Sequence, residues 1–96
     1  MRGFPFTKKM NQRIELSAPL TIPVQPGQSY RISADNSDLE IREPRTVDKT
    51  SDPATWDIVH GSPIADGAQP PLVIPMTGQL HLIPAGALCV VNLARQ

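Results

Sequence analysis

Apolar and polar residues alternate along two runs within the stretch from residue 20 to residue 43. In the first run, Tyr30 and Ile32 fall on one face and polar side chains fall on the other. In the second run, Leu39 and Ile41 share a face, again opposite polar and charged residues. A period of two is typical of strands that bury one face. The pattern therefore predicts two strands with one side exposed to water.

The two runs are separated by residues 34–37, with the sequence ADNS. Aspartate, asparagine and serine favour turns because their short side chains hydrogen-bond to nearby backbone groups. The simplest interpretation is a β-hairpin around which the rest of the chain is organised.

The remainder of the chain indicates more short strands and no long helix. Eleven prolines are spread through 96 residues, and each proline inside a helix costs about 3 kcal/mol. Short apolar runs separated by turn residues predict an all-β fold, a small antiparallel β-sandwich or barrel of about seven to nine short strands. Besides the two central runs, strands are predicted at residues 11–16, 20–22, 46–47, 56–59, 72–74, 79–83 and 87–93.

The first thirteen residues differ from the rest and are predicted to form an extended N-terminal arm before a single β-sandwich domain at residues 14–96. Phe4 and Phe6 flank a proline, and the segment contains no acidic residue. One interpretation is a frayed, solvated terminus. Another is an arm that lies across a neighbouring subunit, and a nucleic-acid-binding arm is a weaker third possibility. The cations of the arm are Arg2, Lys8, Lys9 and Arg13.

A short motif occurs twice, about half a chain apart. Residues 19–24 read PLTIPV and residues 71–76 read PLVIPM, and each copy is soon followed by Gly-Gln. After the first copy, residues 25–28 (QPGQ) predict a type II turn with glycine at the position that needs positive φ. The repetition is either coincidence, two edge strands with the same turn requirement, or the mark of two related halves packed face to face.

Composition limits the possible functions. Aromatic residues make up 4% of the chain, so the core is thin and some burial is expected to come from a partner or a second copy. Nine basic and nine acidic residues leave no net charge, which disfavours binding to nucleic acid or to an acidic membrane. No signal peptide and no membrane-spanning segment is recognised. The single cysteine, Cys89, lies among apolar residues and is predicted to be an inert core thiol.

One loop suggests a catalytic triad, because His60, Ser62 and Asp66 lie close together in HGSPIADG. A triad is assembled from separate elements around a braced nucleophile, with backbone donors for the oxyanion. Three polar residues in one proline- and glycine-containing loop lack that bracing. No catalytic residues are therefore assigned, and the chain is not expected to be an enzyme.

Metal binding is not predicted either. His60 and His81 are 21 residues apart with no further ligand in register, which is a poor pattern for zinc. Asp35, Asn36 and Asp38 lack the graded spacing of a calcium loop. His81 alternates with leucines and is expected to face solvent or a subunit contact. We therefore expect no metal and no cofactor.

In overall style the chain resembles the small all-β virion proteins of tailed bacteriophages, the capsid decoration or cement proteins. The resemblance lies in the basic arm FPFTKKMNQR, the P-x-G and T-G-Q turns before short apolar strands, and the last strand, LCVVNLARQ. It implies a non-enzymatic protein on the capsid surface, made in the host cytoplasm, that binds the major capsid protein and bridges coat subunits. It further implies a homo-oligomer, with a trimer favoured. The implied capsid or inter-subunit contacts are Phe4, Phe6, Lys8 and Lys9, and the loops at 44–55 and 60–71 would face outward or a neighbour.

Other non-enzymatic functions stay open at this stage. One is a carbohydrate-binding or receptor-binding β-sandwich, for which only Trp56 and Tyr30 could supply an aromatic platform, and both lie in patterns that predict burial. Another is an adaptor of a tail or baseplate. A metal-free cupin-like barrel is a further possibility.

Overall fold

The computed structural model describes residues 11–44, 52–59 and 61–96. These residues form eight β-strands and one short 3-10 helix at Pro53–Thr55. The strands are β1 (Asn11–Leu16), β2 (Leu20–Pro23), β3 (Tyr30–Asp35), β4 (Leu39–Glu43), β5 (Asp57–Ile58), β6 (Leu72–Val73), β7 (Gln79–Pro84) and β8 (Cys89–Arg95). β1 begins at Asn11, three residues before the boundary predicted for the folded domain. The strand predicted at 46–47 lies outside the described residues.

The strands form two four-stranded antiparallel sheets, with the orders β1-β8-β3-β6 and β2-β7-β4-β5. The first strand pairs with the last, the second with the seventh, the third with the sixth and the fourth with the fifth. The chain thus runs as a long antiparallel ribbon, folded back between β4 and β5 and rolled into two layers. This arrangement is a jelly roll, an eight-stranded form of the β-sandwich. The predicted all-β sandwich is confirmed.

The predicted central hairpin is wrong. β3 pairs with β8 and β6 in the first sheet, whereas β4 pairs with β7 and β5 in the second. The residues between them form a corner that carries the chain from one sheet to the other, with Asn36 at a φ of 74°. Alternation shows that each strand buries one face, but it does not show whether the next strand lies beside it or opposite to it.

The core lies between the sheets and is built from the alternate residues of the inner strands. Those predicted to share a face do so: Ile32 on β3 and both Leu39 and Ile41 on β4 are completely buried. They pack in one cluster with the inward residues of β7 and β8, among them Leu80 and Val91. Trp56 is also buried, but it lies outside this cluster.

One buried serine joins two corners of the sandwich. Ser37 Oγ accepts a hydrogen bond of 2.9 Å from the backbone N–H of Gly86 in the β7–β8 turn. The Ser37 carbonyl accepts a longer contact of 3.5 Å from Cys89 Sγ. Burial raises the pKa of the Cys89 thiol, and the residue is completely enclosed, as predicted for a core position. The β3–β4 corner is therefore fixed to the start of β8.

Among the described residues, no helix is long and apolar enough to cross a membrane.

Candidate binding surfaces

The most conspicuous surface feature is a row of exposed apolar side chains, Leu72, Ile74 and Met76, named here the β6 stripe. Their exposed fractions are 42%, 52% and 81%. The intervening Val73 and Pro75 are buried. Alternate residues of an extended strand point to opposite sides, and the alternation of burial over residues 72–76 places these three side chains on the exposed side of the second copy of the motif.

Two charged side chains hold the ends of this segment. Arg31 Nη1 donates a 3.2 Å hydrogen bond to the Pro70 carbonyl before the stripe. At the other end, Glu43 Oε2 accepts a 2.9 Å hydrogen bond from the Met76 N–H. Both bonds tie the backbone and leave the apolar side chains outside. The stripe is therefore ordered before any partner arrives, which lowers the entropic cost of binding.

The β6 stripe also lies at an edge of a sheet. β6 pairs with β3 only through Val73 with Tyr30 and Leu72 with Arg31, and within the described part of the chain no strand pairs with its other side. Large apolar side chains beside an open strand edge are typical of surfaces that contact another protein. The sequence predicted a strand here, and an edge position was among the interpretations of the repeated motif, but the exposed side of the strand was not predicted.

A second feature is an open groove of about 370 Å³ at the mouth of the sandwich, named here the β1–β2 groove. It is lined by Gln12, Pro23, Val24, Gln25, Pro26, Tyr30, Leu93 and Arg95. Its volume lies within the range of roughly 300–1,000 Å³ found for ligand pockets.

The groove exists because the two sheets are not closed over each other at this end. Along the inward face of β1, Leu16 is buried, Ile14 is half-buried and Gln12 is exposed. Gln12 pairs with Leu93 across the strands. The core thus thins towards the start of β1, and the half-buried Val24 and the nearly buried Leu93 line the groove.

Polar contacts make the wall of the groove rigid. The Tyr30 hydroxyl accepts a 2.9 Å hydrogen bond from the Gln25 N–H, and Arg95 Nη1 donates a 3.2 Å hydrogen bond to Gln25 Oε1. Gly27, at a φ of 82°, occupies the glycine position of the predicted type II turn. The Gln28 N–H closes this turn on the Gln25 carbonyl at 3.3 Å. The groove therefore has a fixed wall made by a turn that the sequence predicted.

His81 lies on the outward side of the second sheet and faces away from Leu80 and Leu82, as predicted. It is not fully exposed to solvent, however, which was one of the two surroundings expected for it. It is half-buried beneath Trp56, with ring centroids 6.1 Å apart and an interplanar angle of 71°. Its Nδ1 and Thr21 Oγ1 are hydrogen-bonded at 2.8 Å. Burial lowers the pKa of the imidazole; Asp52 acts in the opposite direction, and Arg42 lowers it further.

The polar residues of the HGSPIADG loop hold backbone groups. Ser62 Oγ accepts a 2.8 Å hydrogen bond from the Ile41 N–H, and Asp66 Oδ1 accepts one of 2.8 Å from the Asn36 N–H. His60 lies outside the described residues. Ser62 and Asp66 therefore fasten this loop to β4 and to the β3–β4 corner.

The carboxylates near that corner have similar roles. Asp38 Oδ1 accepts a 2.9 Å hydrogen bond from the Asp66 N–H. No group of three or more His, Cys, Asp or Glu side chains suited to a metal ion occurs among residues 11–44, 52–59 and 61–96.

The arm residues predicted as contacts, Phe4, Phe6, Lys8 and Lys9, lie outside the described residues, so their role stays a prediction. The groove was not predicted from the sequence, because its lining comes from β1, β2, the β2–β3 turn, β3 and β8. The one local signal was the turn at 25–28, which places two lining residues.

Comparisons of the chain with protein-family models, with curated proteins and with solved structures found no match.

Proposed function

We propose that this protein is a non-enzymatic structural protein of a bacteriophage virion, a capsid decoration protein. On this proposal it binds the major capsid protein on the outside of an assembled head and bridges coat subunits, acting as a homo-oligomer, with a trimer favoured. The observation that supports it most is the β6 stripe, an ordered apolar surface at an open sheet edge. A pre-formed apolar surface of this kind suits a protein partner better than a small polar ligand.

The proposed mechanism is mass action. A protein that binds only the assembled shell stabilises the shell in proportion to its occupancy. Several copies held in one oligomer add avidity, so no single contact needs to be strong. The exposed apolar side chains of the β6 stripe supply the burial that drives each contact.

Jelly rolls also form lectins, so carbohydrate or receptor binding is the main alternative. Sugar platforms require exposed aromatic rings, and both candidates, Trp56 and Tyr30, are buried. Quenching of tryptophan fluorescence by iodide is expected to be weak for this reason. The burial of these rings favours a protein surface over a glycan as the target.

Co-sedimentation with the heads of the phage that encodes the chain tests the proposal. The wild-type protein should pellet with the heads and raise the temperature at which they disrupt. The variant Leu72→Ser/Ile74→Ser/Met76→Ser should bind at least about tenfold more weakly, since apolar contacts at the centre of an interface dominate affinity. Its denaturant unfolding curve should stay close to that of the wild type, because these side chains are exposed.

The matched control changes Leu20→Ser/Leu88→Ser, two other exposed leucines outside the stripe. This variant should bind heads as the wild type does. Binding of the wild type to isolated tails or to a glycan array, with none to heads, would overturn the proposal in favour of an adaptor or a carbohydrate-binding module. An equal loss of head binding in the stripe variant and in the control variant would show that the β6 stripe is not the contact.

A further inference from the structure

We propose that the β1–β2 groove is the binding site for the Phe4-Pro5-Phe6 segment of a second copy of this chain, so that neighbouring subunits exchange their N-terminal arms. This goes beyond the proposed virion role and does not depend on it. It rests on the shape of the groove, on its place beside the first strand, and on the composition of residues 1–10.

The groove needs an apolar occupant. Its floor includes Leu93 and Tyr30, both almost fully buried, and Val24, which packs partly against the core. The sandwich opens at this end because Gln12 replaces the large apolar side chain that would continue the inward face of β1. An inserted aromatic ring would extend the thin core by burying both its own surface and the apolar wall of the groove.

Residues 1–10 supply a suitable occupant. They contain two of the four aromatic residues of the chain, Phe4 and Phe6. The proline between them limits the conformations of the segment and so lowers the entropy lost on docking. Pro23 and Pro26 line the groove, and these rigid rings offer flat surfaces for aromatic packing.

Geometry favours the arm of another copy over the arm of the same chain. Phe6 precedes Gln12 by six residues, which span about 20 Å when extended. This exceeds the width of a cavity of about 370 Å³. To return to its own groove the chain would have to reverse within residues 7–10, and that sequence, TKKM, contains none of the common turn residues. If the chain continued extended from β1, both phenylalanines would lie beyond their own groove and within reach of a second copy.

A disulfide trap tests this arrangement with the full chain. The variant Thr7→Cys/Pro26→Cys places one thiol beside the two phenylalanines and another on the exposed rim of the groove. The native thiol of Cys89 is completely buried and does not compete. Two cysteines form a bridge only when their Cα atoms lie within about 7 Å. Mild oxidation at micromolar concentration should therefore produce covalently linked oligomers on a non-reducing gel.

Three further variants make the result specific. In Thr7→Cys/Leu88→Cys the second thiol sits before β8, at the opposite end of that strand from the groove residue Arg95, and linkage should fall to background. Adding Phe4→Ser/Phe6→Ser to the Thr7→Cys/Pro26→Cys chain should reduce linkage at least about tenfold, as expected if the rings anchor the arm. Adding Lys8→Ser/Lys9→Ser instead should leave linkage unchanged.

Three results would overturn the proposal. A bridge within a single chain only would show that the arm fills its own groove. Equal linkage through the Leu88→Cys position would indicate random collision. Absence of any bridge would show that the groove does not receive the arm. Because the assay contains no phage heads, its failure is distinct from failure of the proposed capsid role.

Discussion

In the first copy of the repeated motif, Ile22 is 8% exposed and packs in the core, whereas in the second copy the matching Ile74 is 52% exposed. The difference comes from pairing. Ile22 lies opposite the buried Leu80 on β7, while in the second copy Val73 lies opposite the buried Tyr30. When the pairing of a strand shifts by one residue, every side chain of that strand turns to the opposite face.

The two copies are nevertheless neighbours. The Val24 N–H donates to the Gly78 carbonyl at 3.0 Å, and the Gly27 N–H donates to the Pro75 carbonyl at 2.9 Å. They are edge strands of opposite sheets and are joined through their turns. The interpretation of two related halves packed face to face stays a prediction. The first copy buries its isoleucine in the core, whereas the second buries Val73 and leaves Ile74 exposed.

The largest expected effect comes from shortening the matching isoleucines. Ile22→Ala should lower the free energy of unfolding by about 2–5 kcal/mol, the usual cost of truncating a buried isoleucine. Ile74→Ala should change it by no more than about 0.5 kcal/mol, as is usual at the surface. Urea denaturation of both variants measures the difference. Similar losses in the two would contradict the assignment of opposite faces.

A smaller effect is expected at the matching glycines. Gly27 has a φ of 82°, whereas Gly78 is not among the residues with positive φ. Gly27→Ala should therefore cost about 1–2 kcal/mol of unfolding free energy, since L-residues are strained in the left-handed region. A Cβ at Gly27 would contact nothing within 4 Å, so the cost is one of backbone conformation. Gly78→Ala lacks this backbone strain and serves as the control. If both variants unfold at the wild-type urea midpoint, the proposed turn strain is absent.

The smallest effect is the dependence of stability on pH, and it again distinguishes the copies. The Thr21 hydroxyl of the first copy is hydrogen-bonded to His81, whereas the matching Val73 of the second copy has no hydroxyl. Burial lowers the pKa of folded His81 below its ordinary value of 6.5. The unfolded chain therefore binds more protons in the window below pH 6.5, and stability should fall as pH falls through it.

This pH effect is measured as the urea midpoint between pH 7.5 and pH 5.5 for the wild type and for His81→Gln. The wild type should lose more stability on acidification than the variant, because the variant cannot take up the proton. Parallel pH curves for the two proteins would contradict the assignment. His60 is present in both proteins and cancels in the comparison.

The sequence alone determined the all-β class, because eleven prolines exclude long helices and alternating residues require half-buried strands. It also determined the positions of the eight described strands within a few residues, the type II turn at 25–28 and the burial of Cys89. These are local properties, set by the covalent limits of proline and glycine and by the period of two along an extended backbone.

Only the tertiary structure decided how the strands combine. The corner at 34–37 suits a hairpin and a crossing between sheets equally well, and long-range pairing with β7 and β8 selects the crossing. The exposure of Ile74 and the opening of the groove beside Gln12 likewise depend on strands distant in sequence. A motif repeated almost letter for letter can therefore bury its isoleucine once and expose it once, because the partner strand sets which side faces the core.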